Sequence, residues 1–210
     1  MKHVSFYIKI IMLMIISANA VAATSAVLII KAETVPPACT AILSDGGEIN
    51  FGTISAGQLS ESQSVALAPK RIQLTISCDS AAKLNVTFDD NRRDSSDDVA
   101  SHYGLGKALN DAKIGYYTLT APSVAAGSQQ ASLLSSTDTV NWTTESSDAN
   151  IENNNTGMLR HYSIGSSGIP VGANSFNFDI EVTPTISPEM RNITEATQLD
   201  GSTTINIDYL

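Results

Sequence analysis

Only a few residues in this sequence have the type and spacing that chemistry requires. Cys39 and Cys78 are its two cysteines. A zinc shell needs more ligands than two cysteines without a nearby histidine can supply, which leaves a disulfide or two free thiols. Five aspartates and two arginines crowd into Asp89–Asp98 (DDNRRDSSDD). Carboxylate oxygens are what calcium takes, but the spacing is not that of a calcium loop and no glycine stands at a turn position. The run therefore reads as a solvated hairpin loop, with a cation as the alternative. Of three histidines, His3 lies in the apolar leader, while His102 and His161 stand alone in polar stretches. There is no Gly-X-Ser-X-Gly elbow, no His-Glu-X-X-His, no P-loop and no dinucleotide fingerprint. A glycosidase needs two carboxylates, and the spacing singles out no pair. Trp142, the lone tryptophan, is either core or a platform for stacking a sugar. Asn-X-Ser/Thr triplets at Asn85, Asn141, Asn154 and Asn192 are chance occurrences in a Ser/Thr-rich chain. The expectation is a protein that is not an enzyme and needs no metal or cofactor.

Compartment decides what the cysteines do. Lys2 and Lys9 flank a short polar start, Ile10–Ile16 (IIMLMII) is wholly apolar, and small residues run from Ser17 to Ala23. That is the three-part layout of a secretory signal peptide, over residues 1–22, with cleavage after Ala20 or Ala22. Its apolar core is shorter than the roughly 20 residues of a membrane span. In an oxidising compartment an even pair of cysteines is most simply one disulfide, Cys39–Cys78, worth about 4 kcal/mol by loop closure. Removing the leader lowers Lys+Arg from 12 to 10 against 21 Asp+Glu, taking the net charge from −9 to −11. A chain this acidic is a poor ligand for phosphate backbones, so no nucleic-acid partner is expected.

The elements that must position these groups are strands. At 210 residues, 42% hydrophobic and 16% charged, the chain suits one globular domain. Ser25–Pro37 (SAVLIIKAETVPP) places Ala26, Leu28, Ile30, Ala32 and Thr34 on one strand face and Val27, Ile29, Lys31, Glu33 and Val35 on the other. Pro36 and Pro37 stop it, and no neighbouring strand makes a hairpin with it, so its partner must come from elsewhere. Further strands are predicted at Cys39–Leu43, at Glu48–Ile54 after an Asp45-Gly46-Gly47 turn, and at Arg71–Cys78, where Ile72, Leu74, Ile76 and Cys78 share a face. Lys83–Asp89 repeats that pattern with Leu84, Val86 and Phe88, and Lys113–Thr120 follows a loop at Tyr103–Gly106. Residues 121–157 read as long surface hairpins with one strand at Thr139–Thr143. Phe176, Phe178, Ile180 and Val182 alternate until Pro184 and Pro188 end their strand. Ser202–Leu210 is the final strand, with Thr203, Ile205, Ile207 and Tyr209 on one face. No helix and no internal repeat stands out, and about seven short strands make a β-sandwich the default.

A leader, an alternating apolar segment ending before a cysteine, a second cysteine further on, and an alternating last strand with Tyr209 resemble a chaperone–usher fimbrial subunit. More narrowly, Pro36-Pro37-Ala38-Cys39-Thr40, Asp90-Asn91-Arg92, Tyr103-Gly104-Leu105-Gly106 and Lys113-Ile114-Gly115 resemble a probable beta-fimbriae major subunit group, a domain without assigned function. The resemblance implies an all-β, incomplete immunoglobulin-like (pilin-like) sandwich over residues 38–210, with an N-terminal donor-strand extension over residues 23–37. It implies that a periplasmic chaperone fills the groove left by the missing strand, and that a neighbouring subunit's extension replaces it at an outer-membrane usher. Leu28, Ile30, Ala32 and Thr34 would enter the neighbour, and Thr203, Ile205, Ile207 and Tyr209 would border the groove and face the chaperone. The chain departs from the group in having Thr197 where many members carry a glycine. The function implied is a surface fimbria supporting adhesion, in a shaft or adaptor position. A secreted carbohydrate-binding module using Trp142 and the loops of residues 121–157 is the alternative from another class, and a secreted hydrolase a third.

Overall fold

The computed structural model describes residues 37–109, 111–154 and 157–210. The chain divides into two units, Met1–Val35 and Pro36–Leu210, and the described residues all belong to the second. The leader and Leu28, Ile30, Ala32 and Thr34 lie outside the described residues. The second unit is all-β. Its strands are β1 (Cys39–Leu43), β2 (Val65–Ala66), β3 (Lys70–Ala82), β4 (Leu84–Asp90), β5 (Tyr103–Gly104), β6 (Gly115–Ala126), β7 (Gln129–Ser136), β8 (Thr143–Thr144), β9 (His161–Ser166), β10 (Ile169–Pro170), β11 (Ala173–Ile186) and β12 (Thr203–Tyr209). Helical turns among the described residues are short 3-10 segments.

The long strands follow one another in space as β1-β3-β11-β6-β7-β9-β4-β12, all antiparallel. β7 turns the path over, because its first residues, Gln129 to Ala131, pair with β6 and its later ones, Ser132 to Ser136, with β9. The curled sheet becomes a two-layer, sandwich-like fold whose core draws on both layers, from Ile72, Leu74, Ile76, Phe176, Phe178 and Ile180 to Leu84, Val86, Phe88, Tyr162 and Ile164. Period two drives this packing. In β11 every second residue from Phe176 to Ile186 is buried. In β6 one extra residue interrupts the ladder, since Glu181 pairs with Thr120 but Asp179 with Ser123. Pro122, which has no N–H to donate, falls in that bulge, and the inward set changes from Tyr117, Leu119 and Ala121 to Val124.

The disulfide joins Cys39 to Cys78, which are register partners in β1 and β3. Four expectations are corrected. Glu48–Ile54 forms no strand: Asn50 Oδ1 takes the Gly52 N–H at 2.7 Å and Gly52 adopts φ 72°, so the segment turns away from any ladder. Ile49 and Phe51 still pack on the core. Residues 121–136 belong to the sheet rather than to surface hairpins, because β6 runs on to Ala126 and hairpins directly into β7. Thr139 has φ 59°, which breaks the expected Thr139–Thr143 strand and leaves only β8. Pro184 does not end its strand. On that edge β11 passes from β3, last paired at Val182, to β2, first paired at Thr185, so the missing donor falls in the gap between partners.

Candidate functional site

The two ends of the strand path, β1 and β12, each pair on one side only among the described residues. The Asn91 N–H donates to the Ser202 carbonyl and the Leu210 N–H to the Lys83 carbonyl, both at 3.0 Å. Even-numbered peptides of β12 therefore turn toward β4. The N–H and C=O groups of Thr203, Ile205, Ile207 and Tyr209 turn to the open edge. Their side chains lie opposite Asp90, Phe88, Val86 and Leu84, on the core face. The four residues chosen from the sequence thus share one face, and their backbone groups share one edge.

β1 mirrors this arrangement. The Asp79 N–H donates to the Ala38 carbonyl at 3.0 Å, so Ala38, Thr40 and Ile42 bond to β3, while the backbone groups of Cys39, Ala41 and Leu43 face outward from the ladder. Ala41 sits opposite fully buried Ile76, on the core face, yet is exposed. Ile205 and Ile207 are only half-buried, and Tyr209 remains 47% exposed. Inward-facing side chains therefore stay accessible at both edges among the described residues.

An apolar groove of ≈ 280 Å³ lies between these edges. Leu43 and the Gly47, Ile49 and Phe51 segment form one wall, Thr203 and Ile205 the other, and Ile72, Phe88, Leu119 and Ile180 the floor. The Tyr117 hydroxyl lies 2.6 Å from Thr203 Oγ1 in the floor, and burial pushes its phenol up from the ordinary value against the opposing effect of that bond. At the other end the Tyr209 hydroxyl donates to the Pro37 carbonyl, tying the end of β12 to the approach to β1. Two rows of backbone donors and acceptors over an apolar floor can accept an extended peptide.

The other candidate residues do not converge on this groove. The His102 ring stacks on Tyr116 at 3.6 Å, with Nδ1 2.9 Å from the Asp97 carboxylate, and His161 Nδ1 lies 2.9 Å from Asn85 Oδ1. Both histidines are therefore held by neighbours rather than standing alone. Trp142 is half-buried outside the core, its indole N–H donating to the Thr139 carbonyl at 3.1 Å. Among the described residues no three His, Cys, Asp or Glu side chains converge as a metal site. The acidic run is not simply a wet loop. Asp90 is buried, and burial pushes its carboxyl up despite the N–H groups of Gly104 and Arg92, each donating at 2.8 Å. Arg92 forks onto Asp200 at 2.8 and 2.9 Å, raising its own pKa and lowering that of the aspartate. Sequence reasoning missed the Leu43, Ile49 and Phe51 wall and this corner. The Asp90-Asn91-Arg92 motif and the polar residues alternating with Ile205 and Ile207 were the available signals for the corner.

Fold and site together define an all-β, sandwich-like domain whose edge strands β1 and β12 each have one ladder partner among the described residues. Residues 28–102 match a family described as a protein of unknown function (DUF1120), a span that takes in both cysteines and the Asp90-Asn91-Arg92 corner. The chain is also similar to an uncharacterized protein of Escherichia coli (strain K12), YhcF, at 36% identity over 84 residues. That similarity covers 39% of this chain and 35% of the relative, so the chain matches about a third of the relative's length.

Proposed function

We propose that this protein is a structural subunit of a surface fimbria, exported and then polymerised by the chaperone–usher pathway through donor-strand exchange. The pilin-like groove between β1 and β12 is the acceptor, and residues 23–37 of a neighbouring subunit are the donor. One observation carries the proposal: core-facing residues on β1 and β12 remain accessible, and the backbone edges beside them have no ladder partner among the described residues. An inserted strand would gain about 1 kcal/mol net per main-chain bond. Each Leu28- or Ile30-sized side chain buried on the floor would add roughly 1.5–3 kcal/mol. In this scheme a periplasmic chaperone covers the groove before assembly and the usher orders the exchange.

The test uses a labelled peptide of residues 25–37, SAVLIIKAETVPP, added to the exported chain. The expected result is a long-lived complex by gel filtration, absent with a scrambled peptide and weakened by Ile205→Asp. Equal retention of the scrambled peptide, or no complex at all, would overturn the proposal.

A further inference from the structure

We propose that the Asp89–Arg92 corner is a register-setting device that preforms the β12 wall of the groove, an inference that rests on the strand-acceptor reading above. The hydrophobic pattern of β12 does only half of this work. A one-residue slip against β4 would turn Ile205 and Ile207 to solvent and is excluded by burial. A two-residue slip keeps the faces and merely exchanges one isoleucine for the next, so the apolar pattern alone resists it little.

The polar face of β12 supplies the missing specification. Asn206 Nδ2 donates to Asp89 Oδ2 at 2.7 Å. Asn91 Nδ2 donates to Ser202 Oγ and Thr204 Oγ1, both at 3.0 Å. Arg92 then closes on Asp200, donating from Nε and Nη2 to its two carboxylate oxygens. Asp200, Ser202, Thr204 and Asn206 are spaced by two along the chain, and Arg92, Asn91 and Asp89 meet them in order. A two-residue slip would break the Asp89–Asn206 and Arg92–Asp200 pairs and leave Asn91 with only one of its two hydroxyl partners.

The corner is itself rigidly held. The Arg92 N–H donates to Asp90 Oδ1 at 2.8 Å, and the Arg92 carbonyl accepts from Ser95 N–H at 2.9 Å and Ser95 Oγ at 2.7 Å. A Cβ on Gly104 would stand 2.2 Å from the Arg92 carbonyl oxygen, so only glycine lets β5 pass beneath it. On the far side, Asp200 N–H donates to the Leu105 carbonyl at 3.0 Å. Both halves of the fork are therefore fixed before they meet, and the open edge at Thr203, Ile205, Ile207 and Tyr209 is held in place without an occupant. Arg92, Asn91 and Asp200 are positioning residues and touch no inserted strand.

The test compares the exported chain with Arg92→Met, Asn91→Ala and the charge exchange Arg92→Asp/Asp200→Arg. Hydrogen exchange reads the Thr204 and Asn206 amides of β12 against those of β11, and uptake of the labelled peptide of residues 25–37 reads the groove. Arg92→Met should speed exchange in β12 by about fivefold, with β11 unchanged, as loss of a half-exposed ion pair allows. Peptide uptake should slow in parallel, and the charge exchange should restore both. Unchanged β12 exchange in both single variants, or a loss spread evenly over β11 and β12 that the charge exchange does not rescue, would overturn the inference. Altered β12 exchange with no peptide uptake by the unsubstituted protein would instead overturn the acceptor reading on which it rests.

Discussion

Breaking the Cys39–Cys78 disulfide should weaken the protein globally and strip one wall from the groove. β1 is an edge strand of five residues with exposed side chains at Thr40, Ala41 and Ile42, so its own burial holds it weakly. It is held by one ladder to β3 and by the cross-link between register partners. The bridged residues are 39 apart in sequence, and closing a loop of that length removes about 4 kcal/mol of conformational freedom from the unfolded chain. With a urea dependence of about 2 kcal/mol per molar, the unfolding midpoint of Cys39→Ser/Cys78→Ser should fall by about 2 M. Hydrogen exchange should show the Thr40 and Ile42 amides losing protection before those of β11, because β1 has no second ladder partner among the described residues. Peptide uptake by the groove should fall with them. A midpoint within about 0.5 M of the oxidised protein would refute the loop-closure reasoning, since that shift corresponds to only about 1 kcal/mol.

Gly104→Ala should cost about 1–3 kcal/mol, because the new Cβ would lie 2.2 Å from the Arg92 carbonyl and 2.3 Å from Ser95 Oγ. Gly57→Ala, whose Cβ meets only Ser55 Oγ at 3.6 Å, is the control; equal urea midpoints for the two variants would contradict the assignment. Asp138 accepts from Asn141 N–H at 2.8 Å, Asn141 Nδ2 at 2.7 Å, and Val140 N–H and Ser136 Oγ at 2.9 Å, and these donors hold its carboxyl well below the usual carboxylate range. A depressed pKa in the folded state contributes stability above the unfolded value of about 4, and that contribution disappears as pH falls through the folded value. The melting temperatures of the unsubstituted protein and Asp138→Asn should therefore differ at pH 7 and converge toward pH 2. A gap of the same size at both ends would show that the carboxylate charge is irrelevant.

Much of this protein is legible without coordinates, because period two is local. Ile72, Leu74 and Ile76 in β3, Phe176 to Val182 in β11 and Ile205 and Ile207 in β12 announce strands and their inward faces from their spacing alone. The even pair of cysteines announced the cross-link that joins β1 to β3. Proline and polar runs misled for a shared reason: their meaning depends on partners distant in sequence. Pro184 is harmless only because β3 hands over to β2 at that point. Asp89–Asp98 looks solvated until Gly104 and Asp200 arrive to meet Asp90 and Arg92.

Strand faces and the all-β class follow from neighbours in the sequence, where side-chain alternation and burial act over a few residues, and the cross-link follows from an even pair of cysteines. Pairing order, the curl at β7, the groove between β1 and β12 and the corner that holds β12 depend on contacts between separate strands, more than 100 residues apart for Asn91 with Ser202 and Arg92 with Asp200. Many strand orders satisfy the same alternation, and only the tertiary structure selects the one that puts β1 and β12 at the two ends of the described strand path.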